Sequence, residues 1–482
     1  MDIHIAIPVM NEPGIVGRVQ ALARQTVLPA RVVLCVNQPA SYFDSGDPFH
    51  QETVRVNATT LADLQALASG GKLPFGLTVI DRSGAGRAWP AAQAGVGRAR
   101  REAMDGAAAG ASGTDLLLCM DADTVYPPHY IEAMRDAAVR FPEAAGIAGA
   151  YFHPVRPTGA ARSAEAAAVE ADAVDVLDAA DVAEAKSEAT SADALAAAAL
   201  HYEVYMRAYA LGLAAAGLPY AYTAIGSSMG CTAAAYRKIG GLPPHKSGED
   251  FYFLQKLAKS GPIVRQGQAP ALPAPRPSPR VIFGTGPAIG MGLRGEWGSC
   301  PIYPAALFGD LQRFYAGLTA LYTDPAMDLG PVGAFAAEKW GADWHVSIRR
   351  NRTSAAAFKK ACTEKFDALR MLQYLKAHYA YDPQTDALNL LERLRDCARR
   401  YPAIPSAAAI ASLEAALADR TPAEAETLAF RADAPAASAT SATSNAAPAR
   451  GLDRLSVSDW QALRLYLYRC ERAEAIARPL CG

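Results

Sequence analysis

Leu116-Leu117-Leu118-Cys119-Met120 is an unbroken apolar run that closes on Asp121-Ala122-Asp123-Thr124. Five apolar residues are too few for a helix of their own. An uninterrupted run, unlike an alternating one, marks a strand buried on both faces of a parallel sheet. Parallel strands need crossover helices, so this stretch commits its neighbourhood to alternating strand and helix. Ligands of open sheets of this kind bind beyond the carboxyl ends of the strands, where here two carboxylates stand one residue apart. An isolated Asp-x-Asp is usually a surface turn. At the end of a buried strand it suits a hard divalent cation, Mg2+ or Mn2+, shared with substrate phosphates.

The first 155 residues alternate as that reading requires. Strands are expected at Ile3–Val9, Arg31–Asn37, Leu77–Asp81, Leu116–Met120 and Ala145–Phe152, with helices at Gly14–Gln25, Ala91–Ala109 and Tyr130–Arg140. Pro127-Pro128 precedes the last helix and Phe141-Pro142 ends it. Right-handed crossovers then give a mostly parallel sheet. Between about 156 and 200 the composition turns to Ala, Asp, Glu and Ser, with nine acidic residues against three basic ones. Alanine favours helix but offers little to bury, so this segment reads as an insertion without chemistry of its own. The α/β pattern resumes with a helix over His201–Ala216, a polar turn at Gly226-Ser227-Ser228-Met229-Gly230-Cys231, the segment Ala233–Ile239 and a helix at Phe251–Lys259. A proline-rich run (Pro270, Pro273, Pro275, Pro277, Pro279) leads to residues 280–287. The expected division is a sheet domain over 1–290, a helical extension over 291–433, a low-complexity linker over 434–450 and a last segment over 451–482. That segment carries a helix at Asp459–Ala477, whose stripe of Trp460, Leu463, Leu465, Leu467 and Tyr468 docks on the body.

Charge and cysteine use exclude several classes. With 47 basic and 48 acidic residues in 482, the chain lacks the positive field of a nucleic-acid binder. Its eight cysteines are scattered without a C-x-x-C pair and read as buried free thiols of a reducing cytoplasm. The first nine residues read as a strand and not as a leader peptide. Ala208–Tyr236 carries no charge and is long enough to cross a bilayer. Its glycines, its proline and its reliance on alanine argue against a membrane helix, and a soluble protein is expected.

Candidate site residues fall at the strand ends. Pro8-Val9-Met10-Asn11-Glu12 closes the first strand, and Asn11 and Glu12 have groups suited to ribose or base, although a turn feeding the next helix would explain them individually. Asn37 ends the second strand and Asp81 the third. Glycine-containing basic stretches, Ser83–Arg87 and Gly95–Arg101, offer backbone N–H groups and guanidinium forks to a diphosphate. Arg98 and Arg101 share a helical face that can equally be a solvated one. Neither stretch is a P-loop or a dinucleotide fingerprint. Glu249-Asp250 opens a helix, where the macrodipole alone favours acids, and a hydroxyl acceptor also needs a carboxylate base. His245 stands nearby in a Pro-Pro-His-Lys loop. Arg349, Arg350, Arg352, Lys359, Lys360 and Lys365 form a basic helix face or a contact for an anionic acceptor or peripheral phospholipid surface.

The ordered set Pro-Val-Met-Asn-Glu, Asn37, Asp81, Gly95-x-Gly-x-Ala-Arg, Met-Asp-Ala-Asp, Gly-Ser-Ser-Met-Gly, Tyr-Arg-Lys-Ile-Gly-Gly and Gly-Glu-Asp-Phe resembles glycosyltransferase family 2, over about residues 3–290. The resemblance implies a GT-A fold: α/β, a Rossmann-like mixed, mostly parallel sheet flanked by helices, here with a largely helical C-terminal region. It implies an inverting, metal-dependent enzyme using a nucleotide-diphosphate sugar and a glycan, lipid-linked or small-molecule acceptor. Carried over by position, Pro8, Asn11, Glu12, Asn37 and Asp81 hold the nucleotide, Asp121 and Asp123 the metal and diphosphate, Asp250 is the base, and Glu249 orients acceptor or base; Arg98, from the basic stretch, is a further nucleotide contact. Asn37 stands where many members carry aspartate. The family's late metal-binding histidine would be His345 or His245, or has no counterpart here, His345 reading equally as a packed histidine. A nucleotidyltransferase on the same sheet, and a non-catalytic sugar-nucleotide-binding protein, are the rival readings.

Overall fold

The computed structural model describes residues 1–155, 192–278, 281–418 and 451–481. Most of the acidic insertion, Arg280 and the 434–450 linker lie outside the described residues. The described residues form two compact units, neither contiguous in sequence. Of the described residues, the first unit takes those up to 199, those from 222 to 294 and those from 475 on, and the second those from 200 to 221 and from 295 to 474.

The first unit is built on a nine-stranded mixed sheet: β1 (Ile3–Val9), β2 (Arg31–Asn37), β3 (Gly76–Arg82), β4 (Leu116–Cys119), β5 (Thr124–Val125), β6 (Gly146–Tyr151), β7 (Met229–Thr232), β8 (Ile263–Pro273) and β9 (Leu480–Cys481). Its order is β3-β2-β1-β4-β7-β6-β8-β5, with β9 also paired to β8. The β1–β2, β2–β3, β1–β4 and β6–β8 ladders are parallel, and β7 runs antiparallel between β4 and β6. All four residues of β4 are fully buried, the condition its unbroken apolar sequence answers. The strands expected at Ile3–Val9 and Arg31–Asn37 recur with those bounds, and the other three recur with ends shifted by one residue. β5, β7, β8 and β9 are strands the sequence reading does not include.

Helices α1 (Ile15–Ala21), α2 (Pro48–Ser69), α3 (Val96–Ala108) and α4 (Tyr130–Arg140) connect the early strands. The α4 bounds coincide with the proline-flanked segment read from sequence. Helix α3 starts later than expected, at Val96, and α1 ends at Ala21, continuing as a 3-10 turn. The Asp47 carboxylate caps α2 by accepting from Phe49 N and His50 N at 2.8 and 3.2 Å, with Pro48 in the first helical position. Chain order moves outward from β1 to β3 and returns to β4 on the other side of β1. That is a topological switch point, and it opens a crevice beyond the carboxyl ends of β1 and β4.

Helix α5 (Ala192–Ala215) starts earlier than His201 and takes in part of the expected insertion. Helices α6 (Ala233–Lys238) and α7 (Glu249–Ala258) follow β7. The second unit is helical, as expected, with helices at Ala305–Thr323, Gly330–Trp340, Ala355–Lys365, Ala368–His378, Pro383–Arg400 and Ala407–Leu417. Within it Arg207 is fully buried against Glu203 at 2.5 Å and against Glu471. The His201 ring stacks on Trp297 at 3.7 Å and Trp460 at 4.6 Å. The last helix, Val457–Ala477, buries Trp460, Leu463, Leu467 and Tyr468, whereas Leu465 is half-buried and Arg464 and Tyr466 are the buried neighbours. No helix among the described residues is long and apolar enough to cross a membrane. Among the described residues, seven cysteines are buried and free.

Candidate active site at the sheet switch point

The two carboxylate pairs, more than a hundred residues apart in sequence, meet on one arginine. Arg100 of α3 is 2% exposed. Its guanidinium lies 2.8 Å from Asp121 Oδ1 and 3.0 Å from Glu249 Oε1, and it donates to Gly226 O at 2.9 Å. Two glycines make room for this. A Cβ on Gly97 would stand 2.0 Å from His245 O and 3.0 Å from Glu249 Cβ, so only glycine lets α3 approach the start of α7. A Cβ on Gly226 would stand 2.5 Å from an Arg100 nitrogen. Tyr126 fixes the strand-end backbone: its hydroxyl accepts from Asp121 N and donates to Ser227 O, both at 2.9 Å.

Electrostatics separate the members of this cluster. Burial would lower the pKa of Arg100, but Asp121 and Glu249 outweigh it and keep the guanidinium charged. Burial, helped by Asp123 and Glu249, raises Asp121, and Arg100 opposes the shift. Asp250 is raised to about 7, first by burial and then by Glu249, with Arg100 pulling the other way. Its Oδ1 accepts from Phe251 N at 2.7 Å, and the residue is half-buried. A half-buried carboxylate with its pKa near neutrality has the properties of a general base.

A second arginine serves the other two acids. Arg276, just past β8, contacts Glu12 and lies 3.1 Å from Asp123 Oδ2. The antiparallel pairing of Thr124 with Pro273 brings the two segments together. Asn11 adopts φ +56°, a left-handed conformation that asparagine tolerates better than most residues. Its N–H donates to Asn57 Oδ1 at 2.9 Å. The Asn57 amide donates to Asn37 O and Gln38 Oε1 at 3.0 and 2.9 Å.

Several predicted residues are used to brace the crevice. The Asn37 amide donates to Val9 O at 2.9 Å, tying the ends of β1 and β2. Asp81 Oδ1 accepts from Ser83 N, Ser83 Oγ and Gly84 N, and its Oδ2 is paired with Arg87 at 2.7 Å. Burial alone would raise its pKa; these bonds outweigh it and lower it. Arg98 is not joined to this cluster: it donates to Gln93 and lies over the Trp89 ring at 4.8 Å. Pro8 is the next-to-last residue of β1, opposite Cys35. His245 packs on Tyr252 at 4.2 Å, and His345, in the second unit, is buried beside Trp344. In the basic stretch Arg349 donates to Tyr322 O at 2.7 Å and Lys365 lies over Trp340.

Sequence reading missed Arg276, Tyr126 and Asn57, and it held Arg100 only as one member of the Gly95–Arg101 stretch, with no role of its own. Arg100 had a usable signal: Gly97, Arg100, Met104 and Ala107 repeat at helical spacing and form the buried face of α3.

The chemistry of Asp121 and Asp123 suits a hard cation, and Glu12, Asp121, Asp123, Glu249 and Asp250 outnumber the two guanidiniums that serve them. Among the described residues, however, no group of three or more His, Cys, Asp or Glu side chains is placed to hold a metal.

No protein-family model and no curated protein matches the chain. Among solved structures, the crystal structure of S. aureus TarS 1-349 matches with a TM-score of 0.31 and 14% identity, covering 83% of this chain and 87% of that chain. A similarity of that depth transfers no activity, and the functional reading rests on the residues of the site.

Proposed function

We propose that the chain is an inverting glycosyltransferase of the family 2 type, moving a sugar from a nucleotide-diphosphate donor to an acceptor hydroxyl. The observation that carries this reading is Arg100, which joins the strand-end Asp121 to Glu249 beside Asp250, at the switch point of the sheet. A donor-binding edge and a base are thereby adjacent. The acceptor hydroxyl gives its proton to the Asp250 carboxylate, and its oxygen attacks the anomeric carbon. The bond from that carbon to the diphosphate oxygen breaks on the opposite face, so the configuration inverts. Glu249 orients the base and Arg100 holds Glu249 and Asp121 in register. Mg2+ or Mn2+, held through Asp121 and Asp123, would supply neutralisation of the departing diphosphate. Asn11 and Glu12 border the nucleotide. The acceptor is a glycan, a lipid-linked sugar or a small molecule with a free hydroxyl.

The test is a thermal-shift screen across UDP-, GDP-, dTDP- and CMP-sugars with Mn2+, followed by product analysis with the donor that binds. Binding raises apparent stability by mass action. Release of a nucleoside diphosphate with sugar transfer is expected. Pyrophosphate release would establish a nucleotidyltransferase instead, and binding without turnover with any acceptor a non-catalytic binding protein.

A further inference from the structure

Arg276 holds a position that chemistry alone would assign to a cation. A single terminal nitrogen of its guanidinium contacts both Glu12 Oε1 and Asp123 Oδ2. Like any arginine it is cationic at physiological pH. Its Nε is buried and has no hydrogen-bond partner. A buried N–H donor without an acceptor costs free energy and calls for a reason. The guanidinium fork matches the oxygens of a phosphate group, to which it can present two parallel N–H donors. Arg276 therefore neutralises the carboxylates while keeping a donor unspent.

We infer that Arg276 is a displaceable counter-ion: it occupies Glu12 and Asp123 in the free protein, yields Asp123 to a divalent cation, and turns its guanidinium to the donor diphosphate. The inference rests on the donor-site reading above. It makes metal and nucleotide binding mutually dependent, because each removes an obstacle to the other, and such coupling is reciprocal by thermodynamic necessity.

Calorimetric titration of the full chain tests this without any turnover assay. Mn2+, UDP and GDP are titrated singly, and each nucleotide is titrated again in the presence of Mn2+. The proteins are wild type, Arg276→Met, Arg276→Lys and Arg135→Met, the last removing a charge from the outer face of α4. In the wild type Mn2+ should tighten nucleoside diphosphate binding by about tenfold or more, and the nucleotide should tighten Mn2+ by the same factor. Arg276→Met should bind Mn2+ alone about tenfold more tightly than wild type, bind the nucleotide more weakly, and keep only the part of the coupling that comes from a cation shared directly with the diphosphate, severalfold less than wild type. Arg276→Lys should retain part of the coupling, and Arg135→Met all of it. Unchanged Mn2+ affinity and coupling in Arg276→Met, in a protein whose circular dichroism matches wild type, overturns the inference and leaves the donor site standing. Failure of wild type to bind UDP or GDP here, together with failure of every donor in the thermal-shift screen, overturns the donor-site reading, and the inference with it.

Discussion

Asp250 in the sheet unit and Asp386 in the helical unit are both raised to about 7, in each case chiefly by burial. Their surroundings are otherwise opposite. Asp386 is sealed from solvent and receives three donors: Tyr379 Oη at 2.7 Å, Asp382 N at 3.2 Å and Ile302 N. It is a tie between the start of helix Pro383–Arg400 and the segment at Ile302. Asp250 is half-buried and accepts from the backbone of the next residue, with Glu249 raising and Arg100 lowering its affinity for a proton. One carboxylate is surrounded by fixed donors and the other by charges with an open side. Equal displacement of a pKa therefore says little about use; what faces the group decides it.

The largest expected contrast is between the two simplest variants. Asp250→Asn should lower turnover about a thousandfold, the scale of a lost general base, with an unfolding midpoint no lower than wild type. Asp386→Ala should retain turnover per folded molecule within about twofold but lose about 3 kcal/mol or more of stability. It leaves three buried donors unpaired at about 1–3 kcal/mol each. Chemical denaturation beside initial rates reads both, and an exchange of the two outcomes would break the comparison.

Next comes pH. Turnover should rise with pH and level off above about 7, falling about tenfold per unit below it, because only ionised Asp250 accepts the proton. Asp386→Asn should leave that limb in place. The stability effect has the reverse direction. A carboxylate whose folded pKa is raised above the unfolded value of about 4 contributes stability that is fully present below about pH 4 and lost as pH rises through about 7. Asp386→Asn should flatten that decline, measured by denaturant midpoints between pH 4 and 8.

The smallest effect sharpens the electrostatic half of the contrast. Gly97→Ala introduces a Cβ against His245 O, forces α3 away from the start of α7 and weakens the Arg100 contact with Glu249. With Arg100 withdrawn, less opposes the raised pKa of Asp250, so the turnover limb should move to higher pH by up to about one unit, at a cost of about 1–3 kcal/mol in stability.

Legibility followed the kind of signal each element carries. β1, β2, β4 and α4 were readable nearly to the residue, since continuous apolar runs and flanking prolines are local. Helix α2 escaped notice because its buried face is written in Thr53, Val56, Asn57, Thr60 and Leu64, and three of those five residues are polar. β7 was read as part of the glycine-containing turn Gly226–Cys231, which holds three of its four residues. β8 contains Pro270 and Pro273, residues that argue against a strand unless the ladder is irregular, and its pairing with β6 shifts register between Gly149 and Tyr151. At the site, acids at strand ends were visible one at a time, whereas the arginines that join them were not. Arg100 and Arg276 acquire their meaning from contacts across 21 to 264 positions of sequence. Asp81 and Asn37 were visible for their positions, but their side-chain bonds run to their own turn and to the neighbouring strand end.

The pairing of β9 with β8 bears on how the protein is made. Ile263 and Val264 pair with Cys481 and Leu480, and Arg265 N donates to Pro479 O at 2.7 Å. Roughly two hundred residues separate Pro273 from Leu480, and most of the helical unit lies among them. On a ribosome adding about 5–20 residues each second, that half of the β8 edge waits on the order of ten to forty seconds for its partner. An uncovered edge invites other strands. Nascent chains of this protein are thus most exposed to misassociation after the sheet has otherwise formed, and a truncation that spares every residue of the site still leaves that edge unprotected.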